Sequence, residues 1–212
     1  RMESPGYRPG LEDTLRHVEF LITQGEFKDA YRVWRTGATA EEILPPADGN
    51  LVNNPGFETE KSLGGGFDWT IHQTPGARVS IDHTVAFEGK RSLRIRFNGS
   101  EDTDFHHVYQ WISWKPHTDY QLCVRMKTEG VTALKGPRME VSGADSALYG
   151  VSDSLTGNND WKELRIAFHT PPQSQGGLLR VRRQRAQNAD RSISETIWID
   201  DVRLFEGRNG RD

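Results

Sequence analysis

From Asn50 onward the chain runs in a period of two: short apolar-polar alternations separated by turn signals. Successive side chains of a strand point to opposite faces, so each run predicts a strand with one buried face. The runs are 51–53, 67–71, 78–82, 92–98, 107–114, 120–127, 138–142, 162–169, 178–183 and 196–205. Between them lie N-N-P-G, L-G-G-G, F-E-G-K, K-P-H-T, T-G-N-N-D and S-Q-G-G. About ten short strands with such turns predict a mainly β fold, an antiparallel β-sandwich or jelly roll. No long helical period interrupts them, which excludes a βαβ architecture. With 21 Gly and 10 Pro against 3 Met, composition favours the same reading.

Residues 1–36 follow a different period. Leu11, Leu15, Val18 and Ile22 form one helical stripe, and Phe27, Ala30, Tyr31 and Trp34 form another, with Gly25 between them. This predicts a short N-terminal hairpin of two antiparallel helices. A linker, 37–49, holds Pro45-Pro46 and favours an extended path. The β domain then occupies 50–206, with a tail at 207–212. One hairpin cannot bury its own apolar faces, so it is expected to pack on the sandwich or on a second copy, or to meet a protein partner.

A net charge of −3 gives no global field for nucleic acid or a membrane surface. No apolar run approaches the ~18 residues that a bilayer-spanning helix needs. The chain opens on Arg1 and reads as a piece of a longer protein. A lone cysteine, Cys123, builds no disulfide framework and reads as a buried structural thiol.

Near the C-terminus, T-I-W-I-D-D-V-R-L-F places two acids side by side in an apolar strand. Strict alternation puts Asp200 beside Trp198, Val202 and Leu204, and Asp201 beside Ile197, Ile199, Arg203 and Phe205. The acid on the apolar face must meet backbone amides, an arginine or a cation, because an uncompensated buried charge is costly.

Sugar recognition in water needs flat aromatic faces flanked by hydrogen-bonding side chains. Trp69, Tyr109, Trp111, Trp114 and Tyr149 supply rings, and Gln110, Asn98 and Arg125 supply polar groups. Tyr109 and Trp111 share one strand face. The candidate ligand-binding set is Tyr109, Trp111, Gln110, Trp69 and Arg125. The run L-R-V-R-R-Q-R, within 178–185, reads as a solvated edge strand, or else as a strip for an anionic polysaccharide. D-T-D-F-H-H, 102–107, reads as a polar loop entering the next strand. There is no HExxH, GxSxG or Walker loop, so the chain is read as a non-enzyme.

Two resemblances add to this. E-F-L-I-T-Q-G-E-F-K-D-A-Y-R-V-W resembles the middle of a tetratricopeptide repeat, through Gly25, Phe27, Ala30 and Trp34. From about 50 to 206 the chain resembles carbohydrate-binding modules of the family 4/9 and 22 type, galactose-binding-like β-jelly rolls. The pieces that carry this are N-L-V-N-N-P-G-F-E, Trp69, F-E-G-K-R-S-L-R-I, V-Y-Q-W-I-S-W-K-P-H-T-D-Y-Q-L-C-V-R-M, D-W-K-E-L-R-I-A-F and I-W-I-D-D-V-R-L. The resemblance implies a non-catalytic polysaccharide-binding module of a larger helical-repeat protein. Bacterial envelope or exopolysaccharide machinery, outside the cytoplasm, is the setting it suggests. It also implies a structural Ca²⁺ held by Glu58, the turn 88–92 with Lys90 and Ser92, and Asp200. The alternative is a structural or protein-docking jelly roll with no sugar ligand.

Overall fold

The computed structural model describes residues 10–37, 49–59, 64–99, 103–132, 135–185 and 194–207. Ten strands among them form two antiparallel five-stranded sheets, preceded by two helices, α1 (Leu11–Thr23) and α2 (Phe27–Gly37). The strands are β1 (Thr70–Ile71), β2 (Ala77–Asp82), β3 (Ser92–Phe97), β4 (Val108–Ser113) and β5 (Asp119–Val131). They continue as β6 (Arg138–Gly143), β7 (Leu148–Val151), β8 (Gly157–His169), β9 (Gly176–Arg182) and β10 (Thr196–Glu206). The front sheet has the order β1-β4-β9-β6-β7, and the back sheet β2-β3-β10-β5-β8.

Period two gives each sheet one apolar face, and the two faces meet as the core. The back sheet turns Leu93, Ile95, Leu122, Val124, Met126, Ile197 and Ile199 inward; the front sheet answers with Val108, Ile112, Met139, Val141, Leu179 and Val181. The strand expectations differ from the structure in places, and the run 67–71 is a strand only at Thr70–Ile71. The run 51–53 is no strand: it lies along β10, tied there by the Asn50 side chain. Asn50 Oδ1 accepts from Leu204 N at 2.9 Å and its amide donates to Val202 O at 3.1 Å. Conversely β7 gave no signal, because it is an edge strand with Leu148 and Val151 exposed and no alternating burial.

Strict alternation also fails in β10. Pairing with β5 steps from Asp200↔Arg125 to Arg203↔Cys123, so one extra residue is inserted in β10. Asp201 takes φ 47° at this bulge. Parity flips there, so Ile197, Ile199, Val202 and Leu204 all face the core. Asp200 therefore does not share a face with Val202 and Leu204; it points outward with Trp198, under a covering loop. Cys123 is only half-buried, on the outer side of the back sheet rather than in the core. Burial raises its thiol pKa.

Gly25, at φ 79°, turns α1 back into α2. The buried side of α1 is Thr14, Val18, Leu21 and Ile22, whereas Leu11, expected on that stripe, is 42% exposed. The hairpin packs on the sandwich, joining Phe27, Ala30 and Trp34 to Phe67 and to the front sheet's Trp111. Residues 38–48 of the linker and 208–212 of the tail lie outside the described residues.

Candidate functional site

The outer face of the front sheet is where the sequence candidates Tyr109 and Trp111 project, since Val108, Gln110 and Ile112 point into the sandwich. Register sets what stands beside them. Tyr109 lies opposite Arg180, which lies opposite Glu140; Trp111 lies opposite Leu178, which lies opposite Ser142. The hairpin covers the Trp111 row, and its Phe27 ring reaches on to Gly176, opposite Ser113. The Phe27 ring sits 5.8 Å from Trp111 and 6.4 Å from Phe67, and Tyr31 packs edge-on to Phe67 at 5.1 Å.

The Tyr109 row stays partly open. Its hydroxyl is 3.4 Å from His72 Nε2, and beside it, on β9 and β6, stands a separate cluster of ion pairs. Glu140, 3% exposed, holds Arg138 and Arg180 at 2.7 Å each. Burial would raise the Glu140 pKa, but the hydrogen bonds from Arg138 and Arg180 outweigh it and hold the carboxyl below its ordinary range. Arg182 binds Asp104 at 2.5 Å, and its hydrogen bonds lower the Asp104 pKa. Nearby, burial and then the charges of His106 and His72 depress the His107 pKa. The strand carrying these arginines, β9, is interior to the front sheet and not an edge strand. Arg183, on its other side, is buried against Glu195 at 2.7 Å.

The other ligand candidates lie elsewhere. Trp69 is 1% exposed, packs on Phe57 at 5.1 Å and donates from Nε1 to Asn54 O at 3.1 Å. Gln110 is fully buried: Oε1 accepts from Asn53 N at 2.8 Å and Nε2 donates to Asn53 O at 2.9 Å. Arg125 sits on the back sheet, paired with Glu163 at 2.9 Å and lying over the Phe87 ring at 4.5 Å. Only Tyr109 and Trp111 of the five share a surface. Gln110→Ala should cost about 2–3 kcal/mol, because both backbone groups of Asn53 lose buried partners. Chemical denaturation checks this, and an unchanged midpoint would contradict it.

The four metal candidates do converge. Glu58 Oε1 accepts from the N–H groups of Lys90 at 2.7 Å and Arg91 at 3.0 Å. Asp200 Oδ2 accepts from Phe87 N at 2.7 Å and Glu88 N at 3.1 Å, while Oδ1 accepts from Asp201 N at 2.7 Å. Ser92 closes the same turn by donating to Val85 O at 2.5 Å. Gly89, at φ +68°, leaves room for Glu58, whose carboxylate a side chain there would strike. Backbone amides are thus what compensates Asp200. They compensate it incompletely: burial raises its pKa despite them, and the charge of Asp201 adds to the rise. Among the described residues, no three His, Cys, Asp or Glu side chains gather as a metal-holding group. The oxygen donors seen here are the two carboxylates, of the kind a hard cation takes, and the turn presents its N–H groups to them.

No family model matches the sequence. A solved structure of a family 4 carbohydrate-binding module (CBM4) superposes with a TM-score of 0.54 at 18% identity, covering 74% of this chain and 99% of that one. The enzymatically active domain of tailspike protein 4 of bacteriophage CBA120 gives 0.50 at 14%, covering 74% and 21%. These likenesses define the class: an antiparallel β-sandwich of the fold that carbohydrate-binding modules share. In sequence, the chain is 24% identical over 170 residues to the tRNA(Glu)-specific nuclease WapA of Bacillus subtilis subsp. natto, and 22% to the tRNA nuclease WapA of Bacillus subtilis strain 168. The match takes in 76% of this chain but spans only 7% of the length of either relative.

Proposed function

We propose that the chain is a non-catalytic carbohydrate-binding module that takes a polysaccharide or oligosaccharide on the open part of the front sheet. The observation that carries this is the Tyr109 row, where a partly exposed ring stands beside His72 and beside Arg180, which the buried Glu140 anchors. Such a row offers a flat face for sugar C–H groups and fixed hydrogen-bonding groups for hydroxyls. The fold supports the reading. The short span of the curated relatives that it matches supports a place as one module of a longer bacterial protein. The hairpin's likeness to a tetratricopeptide repeat suggests helical repeats beside it, and an envelope or exopolysaccharide role outside the cytoplasm follows from that pairing.

The test is retention in affinity gels cast with a panel of polysaccharides. Wild type should be slowed by at least one, and Tyr109→Ala should weaken that affinity about tenfold, the loss of roughly 1–2 kcal/mol of ring stacking. Its melting temperature should stay nearly unchanged, because Tyr109 is on the surface. Equal retention of the variant would remove Tyr109 from the site. The second reading, a protein-docking sandwich without a sugar ligand, is favoured by one observation: the centre of this face, Trp111, already packs against a helix.

Glu58, the carbonyls of the turn around Lys90 and Ser92, and Asp200 would hold a structural Ca²⁺. The cation would supply the charge balance that burial denies Asp200 and would tie the start of the domain to its last strand. Ligand linkage gives about 2.7 kcal/mol at a hundredfold excess over Kd, so exhaustive chelation should lower the melting temperature by several degrees. An unchanged melt would refute calcium here.

A further inference from the structure

The hairpin does more than cover Trp111: its turn forms one wall of a cleft on the sandwich. Gly25 and Phe27 face the β6–β7 turn, Ala144 and Asp145, and the β8–β9 loop, Gln173 to Gly176, with Tyr149 at the back. The cleft holds about 230 Å³. Two glycines keep it open. A side chain at Gly176 would run into the Phe27 ring, and one at Gly143 would fill the point where the Tyr149 hydroxyl and Asp145 Oδ1 converge.

Its polar groups are unspent. Among the described residues, no hydrogen bond engages the side-chain amides of Gln173 and Gln175 or the Tyr149 hydroxyl. Asp145 uses Oδ1 to accept from Ala147 N at 3.1 Å, which leaves Oδ2. Ser174 is fixed by the Trp114 indole, whose Nε1 donates to Oγ at 3.0 Å.

We propose that this cleft binds a single neutral hexopyranose residue, the end or a branch of a glycan; the proposal rests on the saccharide-binding reading above. Size decides for one ring, since the volume falls below the ~300–1,000 Å³ of sites that enclose larger ligands. Two amides, a carboxylate oxygen and a phenol can each meet a hydroxyl, and the half-buried Tyr149 ring meets C–H surface. Among the described residues no Arg, Lys or His lines the cleft, and Asp145 is the charged group there. A uronic or sulfated sugar would therefore meet like charge without a counter-ion.

The full chain, ¹⁵N-labelled, would be titrated with the methyl glycosides of glucose, galactose and mannose, and with methyl glucuronide, while the side-chain amide signals of Gln173 and Gln175 are followed by NMR. At least one neutral glycoside should shift both signals saturably, and glucuronide should not. The double variant Asp145→Ala/Gln173→Ala, at two exposed positions, should weaken that binding at least about tenfold while retaining the wild-type melting temperature. The proposal is overturned if no neutral glycoside moves these signals, if glucuronide binds as well, or if the double variant binds like wild type. Polysaccharide retention of wild type in the gels is read separately. Retention without glycoside shifts would refute the cleft and leave the module reading intact; shifts without retention would support the cleft and refute the extended site at Tyr109.

Discussion

Phe27→Ala should destabilise the chain by about 3–5 kcal/mol, the range for truncating a buried phenylalanine. Phe27 is 1% exposed and joins the hairpin to Phe67 and Trp111. Its loss leaves a cavity at a junction that neither part can close alone, because the hairpin's apolar side has no other cover among the described residues. The consequence is cooperative: helical and aromatic circular-dichroism signals should melt together in wild type and separate in the variant, the helices first. The variant should also self-associate, since freed hairpins expose Trp34, Phe67 and Trp111 as one apolar patch. If the variant keeps the sandwich's melting temperature and stays monomeric, the helices are an independent appendage and the front face is not built around them.

Asp200→Ala should cost about 3 kcal/mol, since three backbone amides, those of Phe87, Glu88 and Asp201, lose their acceptor together. The pH dependence distinguishes metal from proton. Burial raises the folded pKa of Asp200 above its ordinary value of 3.8. Without metal, the carboxyl's contribution is therefore fully present below the ordinary value and is lost as pH rises through the folded one. In chelator, the stability gap between wild type and the alanine variant should narrow over that rise. With calcium at neutral pH it should widen again, because only wild type keeps the charge that the cation needs. A gap that ignores both pH and calcium would mean that Asp200 is a plain acceptor for the turn.

Most strands and the helix pair are legible in the sequence because their signal is local. Alternation sorts Leu93 from Arg94 or Val124 from Arg125 without knowledge of neighbours. The bulge in β10 was not read from the sequence: the core residues 197, 199, 202 and 204 are spaced two, three, two, but Trp198 and Phe205 are as apolar and hide that spacing until the core face is known. That single three is the inserted residue. The convergence of Glu58 and Asp200 on one turn came only through resemblance, because nothing local in either stretch points to the other. The covering of Trp111 had no local signal at all. Tyr109 and Trp111 present the same pattern on one strand, and only the docking position of the hairpin separates an open ring from a packed one. Gln110 was misleading for a related reason: a polar residue at a core position looks like a ligand contact until its partner, the Asn53 backbone, is in view.

The most direct test of the account is to map backbone amide shifts when the full chain, in calcium, is titrated with an oligosaccharide cut from whichever polysaccharide retains it. The account predicts shifts gathered on the outer face of the front sheet, around Tyr109 on β4, Arg180 on β9 and Glu140 on β6, with the back sheet silent. Shifts confined to the back sheet around Arg125 and Phe87, whose ring lies 5.9 Å from that of Trp161 on β8, or no shift with any saccharide, would contradict it.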